Sequence, residues 1–168
     1  MKWSLLSDLV KPSYPTNIGP VKNDTTLGSW EPDPGKLRGV CPRNTPRKHF
    51  RVIFLADVSG HGSSSAFATV LLKNLFARKR SDYLRRDDTT VINPIEMLSL
   101  ANSELLELHV NKYATMVVGC LDFETHQLQY SVAGHLPKPV LMTPEHSQYL
   151  AGEGMPVGLT PEATYQLE

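Results

Sequence analysis

The sequence has few cysteines, no excess of charge of either sign and no long apolar run. Cys41 and Cys120 are the only two cysteines, too few for a disulfide framework, so we expect a reducing, cytoplasmic compartment. The 17 Lys and Arg residues balance the 17 Asp and Glu residues, which excludes a globally basic nucleic-acid binder and an acidic disordered tail. The longest apolar stretches, 52–56 and 116–121, are far shorter than the roughly 20 residues of a membrane span. We therefore predict no membrane helix.

Proline is plentiful, but it is concentrated at one end of the chain. Seven of the 13 prolines precede residue 50, and apolar residues there follow neither the period of a strand nor that of a helix. The whole chain, at 168 residues, has the length of one domain. We interpret residues 1–49 as a mostly irregular, Pro-rich N-terminal segment and residues 50–168 as the folded domain.

Hydrophobic periodicity within residues 50–168 predicts strands and helices in separate groups. A buried strand at 50–56 precedes a helix that begins at Ser63, and Asn93 and Pro94 predict the start of a second helix that ends near Val110. Further strands are predicted at 113–121, 128–133, 137–142 and 148–150. This order favours an α+β fold. The predicted core positions are Phe67, Val70, Leu71, Leu75 and Phe76 on the first helix and Ile95, Leu98, Ala101 or Asn102, Leu105 and Leu108 on the second.

The turn after the first predicted strand carries the candidate chemistry. Asp57 ends the strand, and Gly60 and Gly62 follow it with His61 between them. A carboxylate on a glycine turn is a hard oxygen ligand that suits magnesium or manganese better than zinc. The helix beginning at Ser63 adds free amides and a positive dipole, both favourable to a phosphate. A structural interpretation stays open, in which Asp57 caps the turn and the glycines supply positive φ.

Other polar residues have simpler interpretations. His126, His135 and His146 lack the spacing of metal ligands, so we interpret them as surface or hydrogen-bonded residues. A cluster of basic residues lies at the end of the first helix, where cations complement the helix dipole. It lacks interleaved aromatic residues, which argues against nucleic-acid binding, whereas docking of an acidic protein partner remains open. The cluster consists of Lys73, Arg78, Lys79, Arg80, Arg85 and Arg86.

Four motifs together resemble those of the PPM metal-dependent protein serine/threonine phosphatases, in the bacterial SpoIIE/RsbU-like branch. The first is Ala56-Asp57-Val58-Ser59-Gly60-His61-Gly62, and Tyr113-Ala114-Thr115-Met116 follows it. The third is Ala133-Gly134-His135-Leu136-Pro137-Lys138-Pro139, and the last is Gly154-Met155-Pro156-Val157-Gly158-Leu159. The resemblance covers about residues 50–165. Within this branch it is nearest to the phosphatase-like output domains of bacterial response regulators, including the sigma-factor adaptor group.

The resemblance implies an αββα sandwich in which two Mn2+ or Mg2+ ions activate a water that attacks a phosphoserine or phosphothreonine. Asp57 would be the catalytic and bridging metal ligand, with the backbone carbonyl of Val58 as a further metal contact. Ser59, Gly60, His61 and Gly62 would shape the turn, and Ser63, Gly134 and His135 would contact phosphate or a partner. The implied substrate is a phosphorylated anti-sigma-factor antagonist, with a sensor or receiver domain upstream in the parent protein.

The sequence also departs from the family pattern. The family has a Gly-Asp motif on the strand before the Asp57 strand, but the region we match to it, 35–51, contains no acidic residue. Asp33 lies between two prolines, which do not fit a central strand. The family's later aspartates fall beyond residue 168, so we expect a sandwich that lacks its C-terminal strands and most metal ligands. Two hypotheses follow: a catalytic phosphatase domain, or a non-catalytic phosphatase-like domain that binds a regulatory protein as an adaptor.

Overall fold

The computed structural model describes residues 25–30, as backbone, and residues 50–168 with their side chains. Two helices lie between the second and third of six strands, so the α+β class predicted from the sequence is confirmed. The strands are β1 (Thr25–Trp30), β2 (Phe50–Val58), β3 (Ala114–Asp122), β4 (Gln127–Ala133), β5 (Val140–Met142) and β6 (Ser147–Tyr149). The helices are α1 (Ser63–Arg86) and α2 (Pro94–Glu107), joined through a 3-10 turn at Thr89–Ile92. Neither described helix is long and apolar enough to cross a membrane.

The main sheet is antiparallel, with strand order β1-β2-β3-β4, and β5 pairs with β6 in a separate ribbon. In the register of the main sheet, Asp57 of β2 lies between Thr25 of β1 and Thr115 of β3. The prediction of irregular structure over residues 1–49 is therefore wrong for Thr25–Trp30. The sequence does not indicate β1, because pairing of the backbone needs no hydrophobic alternation within the strand. Its partner β2 also lies beyond a proline-rich stretch, so no hairpin pattern joins the two. The remainder of residues 1–49 lies outside the described part of the chain.

The core lies between one face of the main sheet and the two helices. Alternate residues of β2, including Val52 and Ala56, are buried against α1, as the pleat of a strand requires. Phe54 of β2 stacks on Phe76 of α1, with ring centroids 3.8 Å apart. These aromatic and aliphatic contacts bury the apolar residues of β2 and set α1 across the sheet behind the Asp57 turn.

Helix α1 buries a different face from the one we predicted. Leu75 and Phe76 are buried as expected, but Phe67 and Val70 are 55% and 52% exposed, and Leu71 is half-buried. The buried face consists of Ser65, Ala68, Leu72, Leu75 and Phe76. It includes Ser65 because this hydroxyl donates to the Ser59 carbonyl oxygen at 3.0 Å, which turns the start of the helix inward. A hydrophobic pattern alone does not detect a buried serine.

Helix α2 agrees closely with the sequence prediction. The Asn93 side chain accepts hydrogen bonds from the backbone amides of Ile95 and Glu96, and Pro94 is the first helical residue. Leu98 and Leu105 are buried, as predicted. Asn102 is also buried, where it binds the backbone of the segment that follows β6. The helix ends at Glu107, three residues before the predicted Val110.

Candidate functional site

Asp57 is the next-to-last residue of β2, on a strand with neighbours on both sides. Its side chain is exposed, whereas Ala56 and Val58 on either side of it are buried. The alternation of the strand therefore presents the carboxylate on the sheet face opposite the helices. A carboxylate held on a central strand and open to solvent can reach a ligand without losing its support.

Hydrogen bonds from two directions fix the turn after Asp57. The Ser59 amide donates to the Tyr113 carbonyl oxygen at 2.8 Å, and the Tyr113 amide donates to Ser59 Oγ at 3.1 Å. From the other side, Ser65 Oγ donates to the Ser59 carbonyl oxygen. Ser59 therefore ties the turn both to the start of β3 and to the first turn of α1.

The two glycines and His61 form the exposed part of the turn. Gly60 has φ +75°, and a methyl group at this position would lie 2.7 Å from Nζ of Lys112. Glycine adopts this left-handed conformation without strain, and its lack of a side chain leaves room for the lysine ammonium group. His61, Gly62 and Ser63 are exposed, and α1 begins at Ser63 with no acidic residue in its first turn. The positive end of the α1 dipole is thus not neutralised by a nearby carboxylate within the helix.

Thr115 and His135 lie beside Asp57 on the sheet. Thr115 is paired with Asp57 across β2 and β3, and its Oγ1 is hydrogen-bonded to His135 Nδ1 at 2.9 Å. Burial lowers the pKa of His135, and the Asp57 carboxylate offsets part of this shift. The lowered pKa favours the neutral imidazole, and Thr115 engages one of its ring nitrogens. His135 is therefore a hydrogen-bonded residue, as its spacing predicted, and it also lies near the candidate site.

Gly134 brings His135 to this position. It forms a bridge to Met116 of β3, next to Thr115. Its φ is +65°, and a methyl group here would lie 2.9 Å from the ring of Pro156. The second and third sequence motifs therefore meet beside the first, and Pro156 of the fourth motif packs against Gly134 from behind.

The described residues fit a divalent cation by donor type but not by donor number. Asp57 offers the hard carboxylate oxygen that magnesium and manganese prefer. However, no group of three or more His, Cys, Asp or Glu residues that could hold a metal ion occurs in the described part of the chain. Among residues 25–30 and 50–168, Asp57 therefore belongs to no cluster of three such ligands.

We matched the family's Gly-Asp strand to residues 35–51, but the strand that pairs with β2 on the side away from β3 is β1, at Thr25–Trp30. Asp24 immediately precedes β1 in the sequence, and β1 begins opposite Asp57. Asp24 and Asp33 both lie outside the described residues.

The sequence analysis missed two neighbours of the Asp57 turn. Thr115 lies in the second sequence motif, but its pairing with Asp57 becomes visible only in the register of the sheet. Lys112 had no sequence signal, because isolated lysines are common on protein surfaces.

In the basic cluster at the end of α1, Lys79 is paired with Asp88 and Arg86 with Asp82. Arg78 is likewise paired with Glu104.

The fold and the arrangement of the motifs define the class of PPM-type phosphatase domains. The sequence model of Stage II sporulation protein E (SpoIIE) matches residues 48–168, which is more than half of the chain. The chain therefore belongs to the SpoIIE family, and the resemblance noted in the sequence is confirmed.

Two solved structures share this fold. The chain is similar to the RsbU and RsbW domains of a protein from Mycobacterium tuberculosis, with 23% identity and a TM-score of 0.57. This match covers 86% of the chain and 40% of that protein. The chain is also similar to RsbX, solved in complex with magnesium, with 15% identity and a TM-score of 0.51. That match covers 86% of the chain and 67% of RsbX.

Proposed function

We propose that this chain is a metal-dependent protein serine/threonine phosphatase domain of a bacterial signalling protein. The observation that carries the proposal is the exposed Asp57 carboxylate on a fixed glycine turn, with the Thr115–His135 pair beside it. Membership of the SpoIIE family and likeness to RsbU and RsbX support a PPM-type signalling role. The substrate in this proposal is a phosphorylated regulatory protein of the anti-sigma-factor antagonist type.

The parent protein in this proposal is a cytoplasmic response regulator or partner-switching protein, with a sensor or receiver domain upstream of the phosphatase domain. In this proposal two residues of the first motif bind the cation, Asp57 through its carboxylate and Val58 through its backbone carbonyl. When bound, Mn2+ or Mg2+ supplies charge that screens the phosphate and acidifies a water. Ser59 holds the turn, and Gly60, His61, Gly62 and Ser63 leave its outer surface open.

Asp24 is our candidate for a second carboxylate ligand. It immediately precedes β1, and Thr25, the first residue of that strand, is paired with Asp57. No other acidic residue in the sequence adjoins the Asp57 end of β1. A second anionic ligand would correct the shortage of donors that Asp57 alone leaves.

His135 and Gly134 complete the proposed site on the β3 side. A neutral imidazole near Asp57 adds no positive charge, so it would not repel a cation. Its free nitrogen would be available for a hydrogen bond to a phosphate or to a partner side chain, while Thr115 holds Nδ1. The role of His135 in this proposal is therefore orientation through a hydrogen bond.

The proposal is tested by measuring Mn2+ binding and the hydrolysis of p-nitrophenyl phosphate. We expect wild-type protein to do both, and we expect Asp57→Asn to lose both without a change in melting temperature. An exposed carboxylate leaves no cavity when it is replaced by an amide of the same shape. Asp87→Asn is the matched control, because Asp87 is exposed at the other end of α1, about 36 Å along the helix axis.

Two results would contradict the proposal. Equal Mn2+ binding by wild type and Asp57→Asn would show that Asp57 is not a ligand. Hydrolysis that continues without a divalent cation, or in the Asp57→Asn protein, would show that any activity has another origin. Asp24→Asn is expected to weaken Mn2+ binding as Asp57→Asn does, and an unchanged affinity would remove Asp24 from the site.

A second function, a non-catalytic domain that binds a regulatory protein, is favoured by the donor shortage among the described residues. In that case Asp57 and the glycine turn are structural. Wild-type protein would then bind a phosphorylated or unphosphorylated antagonist protein without hydrolysing p-nitrophenyl phosphate at any Mn2+ concentration. Measuring binding and hydrolysis on the same preparation separates the two functions.

A further inference from the structure

The loop before β3 is held rigidly against the Asp57 turn. The Ser59 amide donates to the Tyr113 carbonyl oxygen, and the Tyr113 amide donates to the Ser59 side chain, on one side of Lys112. Gly158 lies close behind the loop, where a methyl group would lie 2.8 Å from the Lys112 carbonyl oxygen. The loop that carries Lys112 is therefore tied to the Asp57 turn through Tyr113 and packs closely against Gly158.

The Lys112 side chain extends from this position to the Asp57 turn. Its half-buried stem brings Nζ so close to Gly60 that a methyl group there would lie 2.7 Å from the nitrogen. None of the ion pairs found among residues 50–168 involves Lys112. The turn thus has an ammonium group against Gly60, two residues past Val58 at the end of β2 and three residues past Asp57.

A phosphate approaching Asp57 needs positive charge from the protein as well as from a cation. Carboxylates repel a phosphate dianion, and phosphoryl transfer depends mainly on positioning and on neutralising charge. An ammonium group is a compact charge that commonly binds phosphate oxygens. The uncapped start of α1, on the other side of Gly60, adds to the same positive potential because its first turn holds no acidic residue.

We propose that Lys112 binds the phosphoryl oxygens of the substrate at the Asp57 turn. This inference deepens the proposed phosphatase function and rests on it for the identity of the substrate class, a phosphorylated side chain. Gly60 has φ +75° and no side chain, so the ammonium group can lie against the turn. The hydrogen bonds between Ser59 and Tyr113 hold the loop beside the turn, so the lysine is close to the site before a phosphate arrives.

The test uses the full chain and inorganic phosphate as the probe. Phosphate affinity is measured by calorimetry with Mn2+ present, for wild type, Lys112→Gln and Lys112→Arg. Loss of one charge-assisted hydrogen bond is expected to weaken phosphate binding about tenfold in Lys112→Gln. Lys112→Arg, which keeps the charge, is expected to stay within about threefold of wild type. Lys73→Gln, on the exposed face of α1, is the matched control and is expected to bind phosphate as wild type does.

A second readout separates this inference from the proposed function. With p-nitrophenyl phosphate, Lys112→Gln is expected to lower kcat/KM about tenfold, whereas Lys73→Gln leaves it unchanged. If wild type binds phosphate through Lys112 but hydrolyses nothing, the phosphatase function fails and the inference stands. If wild type hydrolyses the substrate and Lys112→Gln matches it in kcat/KM and in phosphate affinity, the inference fails and the function stands.

Two further outcomes also decide the matter. Failure of wild-type protein to bind phosphate would overturn the inference directly. If Lys112→Gln does not fold, Lys112→Met replaces it, because methionine keeps much of the apolar stem without the charge. Wild-type phosphate affinity in a folded Lys112→Met protein would show that the lysine only packs against the turn.

Discussion

Replacing Asn102 tests how α2 supports the segment that carries the last sequence motif. Asn102 is 4% exposed, and its side chain binds two backbone groups of this segment. Its Nδ2 donates to the Thr160 carbonyl oxygen at 3.0 Å, and its Oδ1 accepts from the Gly158 amide at 2.7 Å. The same segment pairs with the start of β3, where Val157 and Ala114 exchange two backbone hydrogen bonds. Asn102 therefore holds α2 to the segment that pairs with the first residue of β3, close to Lys112 and Thr115.

The cost of removing the amide follows from these two bonds. In Asn102→Leu the volume is nearly kept, so the change leaves little cavity but deprives one partly buried amide and one partly buried carbonyl of their partners. Each such group costs about 1–3 kcal/mol when it is left unpaired. Allowing for partial access of water to Thr160, we expect a loss of about 2–4 kcal/mol in the free energy of unfolding.

Denaturant unfolding followed by circular dichroism is the assay. Ser103→Ala is the control, since the Ser103 hydroxyl donates to the Ser99 carbonyl oxygen on the exposed face of the same helix. We expect this control to lie within about 0.5 kcal/mol of wild type. An Asn102→Leu protein that loses less than about 1 kcal/mol would refute the reasoning, because the two hydrogen bonds would then contribute little to stability.

Two further predictions concern packing and pH. Leu105→Ala should lower the free energy of unfolding by about 2–5 kcal/mol because Leu105 is buried. Val70→Ala should lower it by less than about 0.5 kcal/mol because Val70 is 52% exposed. Equal losses in denaturant unfolding would mean that the buried face of α1 is misplaced. Hydrogen bonds from Lys79 and Thr90 lower the pKa of Asp88. Asp88 therefore stabilises the fold at pH values above the ordinary carboxyl pKa of about 4. This stabilisation is lost as the pH falls through the lowered pKa. The stability difference between wild type and Asp88→Asn should therefore shrink in acid, and a difference that stays constant with pH would contradict the assigned cause.

Much of the fold was predictable because its signals are local. The Asn93-Pro94 pair indicated the start of α2, since capping involves residues two and three positions apart. The glycine turn after β2 indicated the candidate site in the same way, from a few adjacent residues. The face of α1 was predicted wrongly because Ser65, a polar residue, is buried by its bond to Ser59.

Local features indicated most elements from β2 onward, the family and the position of Asp57, because periodicity, caps and motifs depend on residues close together in the chain. The residues that surround Asp57 became known only from the three-dimensional packing. Thr115 pairs with it from β3, His135 is bonded to Thr115, and Lys112 lies against Gly60. Strand β1 likewise became visible only through its pairing with β2. These contacts join residues separated by tens of positions, and they form because antiparallel pairing and the burial of one sheet face select a single register.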